Sequence, residues 1–357
     1  MAVESLGPLP KTMRGLQIVE WGKPYVYSEN IPVPQIKEDE LLIKITVAGY
    51  CHTETMVLRG DFDKLIPWDP LPQIPSHEAT GYIAAMGSAV DKSQFQLGQR
   101  VACLNYRSWC KTCEDCKRGM QLYCDNLKSN GTTVDGAMAE YMIADPGSTL
   151  VLPDKVPFEK AAPLMCAGAT IYSGVKRANL KPGQVMAIVG VGALGHLGVQ
   201  FAKCLGYKVV AIDSRDAPLE LVKSLKHPPD IVINSTEGYK AALAKIPWPV
   251  DAVLVATDAI PAYEFGLEIT RKHGTFVDVG QPFDPIPVHY RHLIWRNVSV
   301  VGVSLGTIED TKEMVQLFAD HDLECKTKMY DIKDIEQLIA DTHDKNMAGK
   351  MVVKVSD

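Results

Sequence analysis

The chain has 357 residues, 46% of them hydrophobic and 22% charged, an ordinary balance for a globular protein of about two domains. This composition excludes a disordered or collagen-like chain and a small disulfide scaffold. Lysine and arginine number 37 against 43 acidic residues, and the net charge of −6 argues against a nucleic-acid-binding surface. Residues 1–16 have no apolar segment behind a basic stretch, so we expect no secretory signal and a cytoplasmic protein.

The first 160 residues are predicted to be mostly β-structure, and the rest mixed α/β. Short apolar or alternating runs between proline-rich and glycine-rich turns predict strands over 41–47, 81–86, 100–104 and 138–143. From about residue 163, strand and helix patterns alternate, which predicts a parallel sheet with helices on both faces. Its strand candidates are 185–189, 208–212, 231–234, 252–256, 275–279 and 299–303. Helices over 311–321 and 332–343 and a strand over 350–355 complete the chain.

The longest uncharged run, residues 185–202, has the length of a membrane span. It contains four glycines together with His196 and Gln200, and polar segments flank it on both sides. We therefore interpret it as a buried strand, a turn and a helix over 196–205, with no membrane association.

The turn in this run has the sequence Gly190-Val191-Gly192-Ala193-Leu194-Gly195. A Gly-x-Gly-x-x-Gly string alone is weak, but here an apolar strand precedes it and a helix follows it. Gly190 would permit the tight turn, Gly192 a close approach to a pyrophosphate, and Gly195 the packing of helix on strand. We predict that this loop, with Ala193 and Leu194, binds a dinucleotide; the alternative is a glycine-rich turn that binds nothing.

An acidic residue, Asp213, ends the next predicted strand, 18 residues after Gly195. Its carboxylate would accept hydrogen bonds from the adenosine ribose and would repel a 2′-phosphate, which favours NAD over NADP. Arg215, two residues further on, would soften that repulsion.

Nine cysteines in a chain expected to be cytoplasmic do not predict disulfides, and five of them fall within 22 residues. Four follow the spacing Cys110-x2-Cys113-x2-Cys116-x7-Cys124, which suits the closed tetrahedral thiolate shell of a structural zinc. The alternatives are cysteines packed as small apolar residues, which their charged neighbours disfavour, and a redox dithiol, which needs only two.

A second metal site would have to be assembled from distant positions. Cys51, His77 and Cys166 together would give two thiolates and an imidazole with an open fourth position, as a catalytic zinc requires. Spacing alone does not establish this set. Cysteines are often buried and inert, and a lone histidine is more often simply hydrogen-bonded.

Together these motifs resemble the zinc-dependent alcohol dehydrogenases of the medium-chain dehydrogenase/reductase superfamily, most closely the yeast-type enzymes. The matching segments run in family order over nearly the whole chain: Cys51-His52-Thr53, His77-Glu78, the four-cysteine lobe, Thr133-Val134-Asp135-Gly136, Cys166-Ala167-Gly168-Ala169-Thr170, the glycine loop and Gly349-Lys350. The resemblance implies an α/β protein: a mostly β (GroES-like) catalytic domain over 1–162, a Rossmann domain with a doubly wound parallel sheet over 163–303, and a return to the catalytic domain over 304–357.

The resemblance also implies the metal ligands. Cys51, His77 and Cys166 would bind the catalytic zinc, with Glu78 just behind it as an occasional alternative ligand. Glu54 stands where the family usually has aspartate, and its carboxylate would orient the His77 imidazole. The four-cysteine lobe would bind a second, structural zinc.

Other roles follow from the same resemblance. Thr53 would hydrogen-bond the substrate oxygen and pass its proton outward. His52 and Lys350 would face the cofactor pyrophosphate. Near the nicotinamide would lie Thr170, Val279 and Gly280.

The implied activity is reversible oxidation of a small-molecule alcohol by NAD, with zinc as Lewis acid, in a homodimer or homotetramer. One alternative is an NADP-preferring carbonyl reductase of the same superfamily. Another, from a different class, is a zinc-ribbon-like binding module, which would leave the glycine loop and the distant ligand set unexplained. A zinc-free reductase is disfavoured because every zinc ligand is present.

Besides Glu54, three positions depart from the yeast-type pattern. Met56 stands where a histidine relays the proton to solvent, and a thioether cannot titrate. Leu58 and Asn105 stand where two tryptophans narrow the substrate site around ethanol. The lost aromatic volume predicts a substrate larger than ethanol, and the donor and acceptor of the Asn105 amide predict an additional oxygen on it. The alternative is that another aromatic residue refills the space: Tyr106, Trp109 or Trp295.

Overall fold

The computed structural model describes residues 3–61, 71–344 and 346–356. The N-terminal elements are β1 (Glu4–Ser5), β2 (Thr12–Gln17), β3 (Val26–Pro32), β4 (Leu41–Tyr50), α1 (His52–Arg59), β5 (Ala79–Met86), β6 (Arg100–Cys103), β7 (Tyr106–Arg107), α2 (Glu114–Lys117), β8 (Lys128–Ser129), β9 (Tyr141–Ala144), β10 (Thr149–Val151) and α3 (Phe158–Pro163).

The middle of the chain alternates strictly between helices and strands. Its elements are α4 (Ala169–Arg177), β11 (Val185–Val189), α5 (Gly195–Cys204), β12 (Lys208–Asp213), α6 (Asp216–Lys223), β13 (Ile231–Asn234), α7 (Tyr239–Lys245), β14 (Val250–Val255), α8 (Ile260–Ile269), β15 (Thr270–Asp278), α9 (Tyr290–Leu293) and β16 (Ser299–Gly302). The C-terminal elements are α10 (Ile308–Asp320), β17 (Thr327–Asp331), α11 (Ile335–Thr342) and β18 (Lys350–Lys354).

Six of these strands form a wholly parallel sheet in the order β13-β12-β11-β14-β15-β16. Every residue of β11 is buried, as expected for a strand covered by helices on both faces. The strand order reverses between β11 and β14, and in such sheets ligands bind at the carboxyl ends of the strands beside this point. The Rossmann-type, doubly wound arrangement predicted from the sequence is confirmed.

The N-terminal strands form a mixed sheet in the order β10-β6-β5-β4-β18-β17, with β1 paired to β5 and β9 to β4. The last two strands therefore return from the C-terminus to complete the N-terminal sheet, and β18 pairs antiparallel with β4. A GroES-like, mostly β unit is thus present as predicted. The boundaries proposed at residues 162 and 303 remain a prediction.

Most predicted elements are present with small shifts of their ends. β11 and β13 have the predicted limits, whereas β15 begins at Thr270, five residues before the predicted strand. The strand predicted over 138–143 is wrong at its start, because regular pairing in β9 begins only at Tyr141. Ala139 instead forms an isolated bridge to Gly15 of β2, where a side chain on Gly15 would overlap Ala139.

One apolar core runs continuously from the first sheet to the second. It joins Val47 of β4 and Ala102 of β6 to Ile188 of β11 and Leu254 of β14. Burial of each large aliphatic side chain contributes ~1.5–3 kcal/mol, so this shared core holds the two sheets in a fixed relation.

The uncharged run 185–202 forms β11 and most of α5, inside the second sheet and its helical cover. Among the residues that the structure describes, none of the helices combines the length and apolar character needed to cross a membrane.

Candidate active site and metal centres

The structure brings Cys51, His77, Glu78 and Cys166 into one group, with one ligand atom of each within 4.8 Å of all the others. Cys51 follows β4 and caps α1, and His77 and Glu78 lie just before β5. Cys166 lies in a π-helical turn, Leu164–Gly168, between α3 and α4. The adjacent antiparallel strands β4 and β5 explain why residues 26 positions apart in sequence meet here.

Glu54, in the first turn of α1, links two members of this group. One of its carboxylate oxygens accepts a hydrogen bond of 2.6 Å from the backbone N–H of Cys51. The other lies 2.6 Å from Nδ1 of His77, and both side chains are buried. The carboxylate thereby orients the imidazole through Nδ1, as expected from the family resemblance, and His77 also hydrogen-bonds the Cys51 side chain within the group.

Lys350 reaches the same group from β18. Its buried ammonium donates to Oε1 of Glu78 at 2.7 Å and to the backbone carbonyl of Tyr50 at 3.1 Å. Burial raises the pKa of Glu78 to about 7, although the Lys350 charge opposes this shift. A hydrogen bond with Cys166 and the charge of Lys350 hold the pKa of Cys51 well below its usual range, although burial opposes this. These contacts favour a thiolate at Cys51, the form that binds metals, whereas the hydrogen bond with Cys51 and burial raise the pKa of Cys166 well above its usual range.

The four cysteines of the lobe also come together, with their sulfur atoms within 4.8 Å of one another. Backbone N–H groups point at these sulfurs: that of Cys113 lies 3.2 Å from Sγ of Cys110, and that of Cys110 lies 3.4 Å from Sγ of Cys124. Hydrogen bonds from the Thr112 hydroxyl and backbone N–H lower the pKa of Cys110 to about 5. Four converging sulfurs that accept N–H hydrogen bonds suit a closed tetrahedral metal site.

A cavity of about 360 Å³ separates the Cys51 group from the glycine loop. On one side its lining comes from the end of β4, from α1 and from β18, with Tyr50, Cys51, His52, Thr55 and Lys350. On the other side it comes from the segments that follow β11 and β12, with Gly192, Ala193, Leu194 and Arg215. The predicted pyrophosphate residue His52 faces this cavity and is mostly exposed. The ammonium of Lys350 is already bonded inside the protein, so its contact with a phosphate remains a prediction.

A second cavity, of about 610 Å³, lies on the other side of the glycine loop and shares Gly192, Ala193 and Arg215 with the first. Gly190 has φ 88°, a left-handed conformation that favours glycine. Asp213 lines this cavity at the end of β12. Its carboxylate oxygens accept hydrogen bonds from the Val191 N–H at 3.0 Å and the Arg215 N–H at 3.1 Å.

The three residues expected near a nicotinamide lie on two neighbouring elements. Thr170 is in the first turn of α4, and Val279 and Gly280 follow β15. Val279 packs against α4, since a side chain on Gly174 would lie 3.1 Å from it. Gly174 is one turn after Thr170, on the same face of the helix. The helix and the strand end therefore meet.

Three contacts in this region were not expected from the sequence. Asp258 faces His52 across the cleft, with Oδ2 3.9 Å from Nε2. The backbone carbonyl of Tyr50 accepts a hydrogen bond from the ammonium of Lys350. The buried side chain of His196 is hydrogen-bonded to the glycine loop. An aspartate or histidine in a loop or helix has no spacing that reveals such a partner, and a backbone carbonyl leaves no signal in the sequence at all.

A Rossmann-type sheet whose glycine loop faces a cysteine–histidine group defines the class of zinc-binding, nucleotide-dependent dehydrogenases. Two family models match the chain: the alcohol dehydrogenase GroES-like domain over residues 37–154 and the zinc-binding dehydrogenase over 193–320. An alcohol dehydrogenase of Geobacillus stearothermophilus is 33% identical over 345 residues, covering 96% of this chain and 100% of that protein. An alcohol dehydrogenase of Rhizobium meliloti is 30% identical, and the match covers 97% of this chain and 99% of that protein.

The solved structures agree in fold. The alcohol dehydrogenase of the archaeon Aeropyrum pernix has a TM-score of 0.85 at 25% identity, covering 96% of this chain and 99% of that one. A cobalt- and zinc-bound alcohol dehydrogenase of Pyrobaculum aerophilum has a TM-score of 0.82 at 24% identity, with the same two coverages. The chain belongs to the zinc-type alcohol dehydrogenases of the medium-chain dehydrogenase/reductase superfamily. It is an oxidoreductase that interconverts small-molecule alcohols and carbonyl compounds.

Proposed function

We propose that the protein is a zinc- and NAD-dependent alcohol dehydrogenase whose reaction takes place in the cleft between the two sheets. The observation that carries this proposal is the shared cavity: Cys51 and His52 line one wall, and the glycine-loop residues Gly192 to Leu194 line the other. A metal held on the first wall and a dinucleotide held on the second would meet there.

The donor sets support two zinc ions per chain. Cys51, His77 and Cys166 offer two sulfurs and a nitrogen, with the Glu78 carboxylate as a fourth group and its Oε2 buried without a hydrogen-bond partner. An orphaned buried oxygen beside two thiols and an imidazole fits a cation. The four-cysteine lobe offers a closed set with no position for substrate. When bound, zinc supplies a Lewis acid and the nicotinamide a hydride acceptor.

The residues around the first donor set, that of Cys51, His77 and Cys166, would transfer the hydroxyl proton of the substrate. The hydroxyl of Thr53 lies 3.7 Å from Sγ of Cys51, so a substrate oxygen beside the metal set can donate its hydrogen bond to Thr53. His52 is the next group toward solvent, with its side chain 63% exposed and Asp258 facing it. Met56 is buried in α1, which suits packing rather than proton relay. We infer that Thr53 passes the proton outward, to water or to His52.

We propose that the glycine loop binds the cofactor together with Asp213, which contacts its adenosine end. At the nicotinamide end the proposed contacts are Thr170, Val279 and Gly280. Asp213 carries its charge into the second cavity, which supports NAD over NADP. Arg215 lies 3.4 Å from that carboxylate and is the observation behind the alternative, an NADP-preferring carbonyl reductase.

The proposed substrate is an alcohol larger than ethanol. Of the aromatic residues able to refill the pocket, Trp295 is 69% exposed and packs on Tyr290. Tyr106 and Trp109 pack on each other, with ring centroids 5.6 Å apart. Asn105 has a buried amide oxygen without a hydrogen-bond partner, which supports an additional polar group on the substrate. Leu58 packs against the core of the first sheet.

We also propose a homo-oligomer. Five large apolar side chains are exposed within 13 residues next to β16, which has a single neighbour, β15, in the described part of the sheet. They are Phe283, Tyr290, Leu293, Ile294 and Trp295. An unpaired strand edge beside exposed apolar side chains favours a second copy of the same chain as its cover.

Metal analysis and a substrate screen test the proposal together. We expect about two zincs per chain and an NADH absorbance change with benzyl-type or hydroxylated alcohols, at higher kcat/KM than with ethanol. Loss of one group-sized contact corresponds to about 10–200-fold in kcat/KM. Zinc-free protein with full activity would contradict the metal assignment, and ethanol as the best substrate would contradict the open pocket.

A further inference from the structure

His196, in the first turn of α5, is completely buried, and its imidazole makes two hydrogen bonds to backbone groups. Its Nδ1 lies 2.8 Å from the carbonyl oxygen of Gly192, and its Nε2 lies 3.3 Å from the backbone nitrogen of Lys326. A backbone N–H can only donate, so Nε2 accepts from Lys326 and the ring proton sits on Nδ1, where it donates to Gly192. The neutral imidazole therefore joins the glycine loop to the C-terminal segment that enters β17.

That segment continues toward the metal group. The carbonyl of Lys326 accepts a hydrogen bond of 2.8 Å from the N–H of Lys350. Gly349, with φ 93°, permits this approach, because a side chain there would overlap the Lys326 carbonyl. The ammonium of Lys350 then donates to Glu78. A series of hydrogen bonds thus runs from the glycine loop through His196, Lys326 and Lys350 to the cysteine–histidine group.

The Gly192 carbonyl accepts hydrogen bonds from the His196 backbone N–H at 3.2 Å and from its Nδ1 at 2.8 Å, and together these fix the direction of one peptide group in the loop. In a planar trans peptide the C=O and N–H bonds point in opposite directions. Since the Gly192 carbonyl points at His196, the N–H of Ala193 points away from the protein interior. Ala193 lines both cavities, on either side of the loop. An N–H that faces this space is placed to donate to a cofactor phosphate.

We propose that His196 is a positioning residue: it holds the Gly192–Ala193 peptide in the orientation that binds the dinucleotide phosphates and ties the loop to the Lys326–Lys350 segment. This rests on the proposed function, in that it requires a dinucleotide in the cleft. His196 is completely buried and lines neither cavity, so it would contact neither cofactor nor substrate. We therefore expect changes at His196 to alter the affinity for the dinucleotide rather than the rate of the chemical step.

The test compares variants of His196 with a matched variant of Gln200, one turn later on the same helix. Gln200 is equally buried and bonds to the C-terminal segment through both the N–H and the carbonyl of Glu324, but the glycine loop is not among its partners. His196→Phe keeps the ring and removes both nitrogens, with His196→Leu as a substitute if it does not fold. His196→Gln restores a donor and an acceptor. Gln200→Leu removes the link to Glu324 and a hydrogen bond to the backbone carbonyl of His196, and it leaves both hydrogen bonds of the His196 imidazole in place.

Dissociation constants for NADH and NADPH are measured by fluorescence titration of the zinc-loaded proteins, alongside urea unfolding and steady-state kinetics. We expect His196→Phe to raise the dissociation constant about tenfold, the effect of one lost hydrogen bond, and to raise the KM for the dinucleotide with kcat within about twofold. We expect His196→Gln to recover most of the affinity. Gln200→Leu should lower stability while its dissociation constant stays within about twofold of wild type.

Equal affinity of His196→Phe and wild type would overturn the proposal and leave His196 as a packing residue. An equal loss of affinity in Gln200→Leu would also overturn it, because the loop contact would then have no special part. Wild-type protein that binds neither NADH nor NADPH would overturn the dinucleotide proposal itself, which separates that failure from the other two.

Discussion

The proposed preference for NAD over NADP depends on the carboxylate of Asp213. Its oxygens also accept hydrogen bonds from the backbone N–H groups of Val191 and Arg215. Asp213→Asn removes the charge and keeps an acceptor for Val191. We expect the ratio of kcat/KM for NAD to that for NADP to fall about tenfold, since about 1.4 kcal/mol of repulsion from the 2′-phosphate is lost. Arg215→Gln is the control: it leaves the carboxylate unneutralised, so the ratio should rise. A wild type that prefers NADP would contradict the assignment.

His196 also makes stability depend on pH. Burial lowers its pKa to about 4, and the charges of Lys350 and Lys160 act in the same direction. The unfolded chain binds a proton near the ordinary pKa of about 6.5, so this contribution is complete above pH 6.5 and is lost as the pH falls toward 4. At pH 5 the loss is about 2 kcal/mol.

Urea unfolding at pH 7.5 and pH 5 checks this sign and magnitude. The free energy of unfolding should fall with pH by about 2 kcal/mol less in His196→Gln than in wild type, because glutamine does not titrate. Acid release of metal is common to both proteins and cancels in the comparison. The same fall in both would show that other groups, not His196, determine the acid response.

Among the structural elements, the four-cysteine lobe depends for its stability on its metal ligands more than on secondary structure. Its helix α2 has four residues, too short to be stable in isolation, and none of them is buried. Cys116→Ser should therefore lower the metal content from about two zincs per chain to about one and lower the unfolding temperature. Cys204→Ser, on α5 and outside both groups, should change neither. Metal analysis and thermal unfolding of both variants decide this, and unchanged zinc in Cys116→Ser would refute the assignment.

The strands and helices differ in how much the sequence reveals of them. β11 and β13 could be placed to the residue because apolar strands between helices are continuous in sequence. β17 was not predicted, since an edge strand of sequence Thr-Lys-Met-Tyr-Asp buries only Tyr330 and has no alternating pattern. The short helix α1 was also missed, because its start depends on the Cys51 cap and Glu54 rather than on a long amphipathic pattern.

The two metal groups show the same difference. The four cysteines of the lobe are close in sequence, so their spacing alone predicts a site. Cys51, His77 and Cys166 span 116 positions and meet only because β4 pairs with β5 and a π-helical turn follows α3. Family resemblance supplied this set, and local patterns could not. The contacts of His196 could be predicted neither from local patterns nor from the family resemblance, because a buried histidine in a helix gives no sign of its partner in the sequence.

For the whole molecule, the C-terminal return to the first sheet gives the cleft its geometry. β18 pairs with β4 directly before Cys51, while Lys326, just before β17, contacts His196 under the glycine loop. Metal ligands and glycine loop are therefore held by one continuous structure. The shared apolar core below them resists sliding of the two sheets.

The same scale includes the proposed contact between copies. Ile294 and Trp295 are 71% and 69% exposed beside the edge strand β16. If a second copy covers them, changing Ile294 to Asp and Trp295 to Lys removes about 1.5–3 kcal/mol of burial for each side chain and introduces charges into the interface. The double variant should be monomeric at micromolar concentration in size-exclusion chromatography with light scattering, whereas wild type has the mass of two or more chains. Met329→Lys, an exposed apolar position on β17, is the control and should remain associated. An unchanged mass in the double variant would exclude this face as the interface, and a monomeric wild type would exclude the oligomer itself.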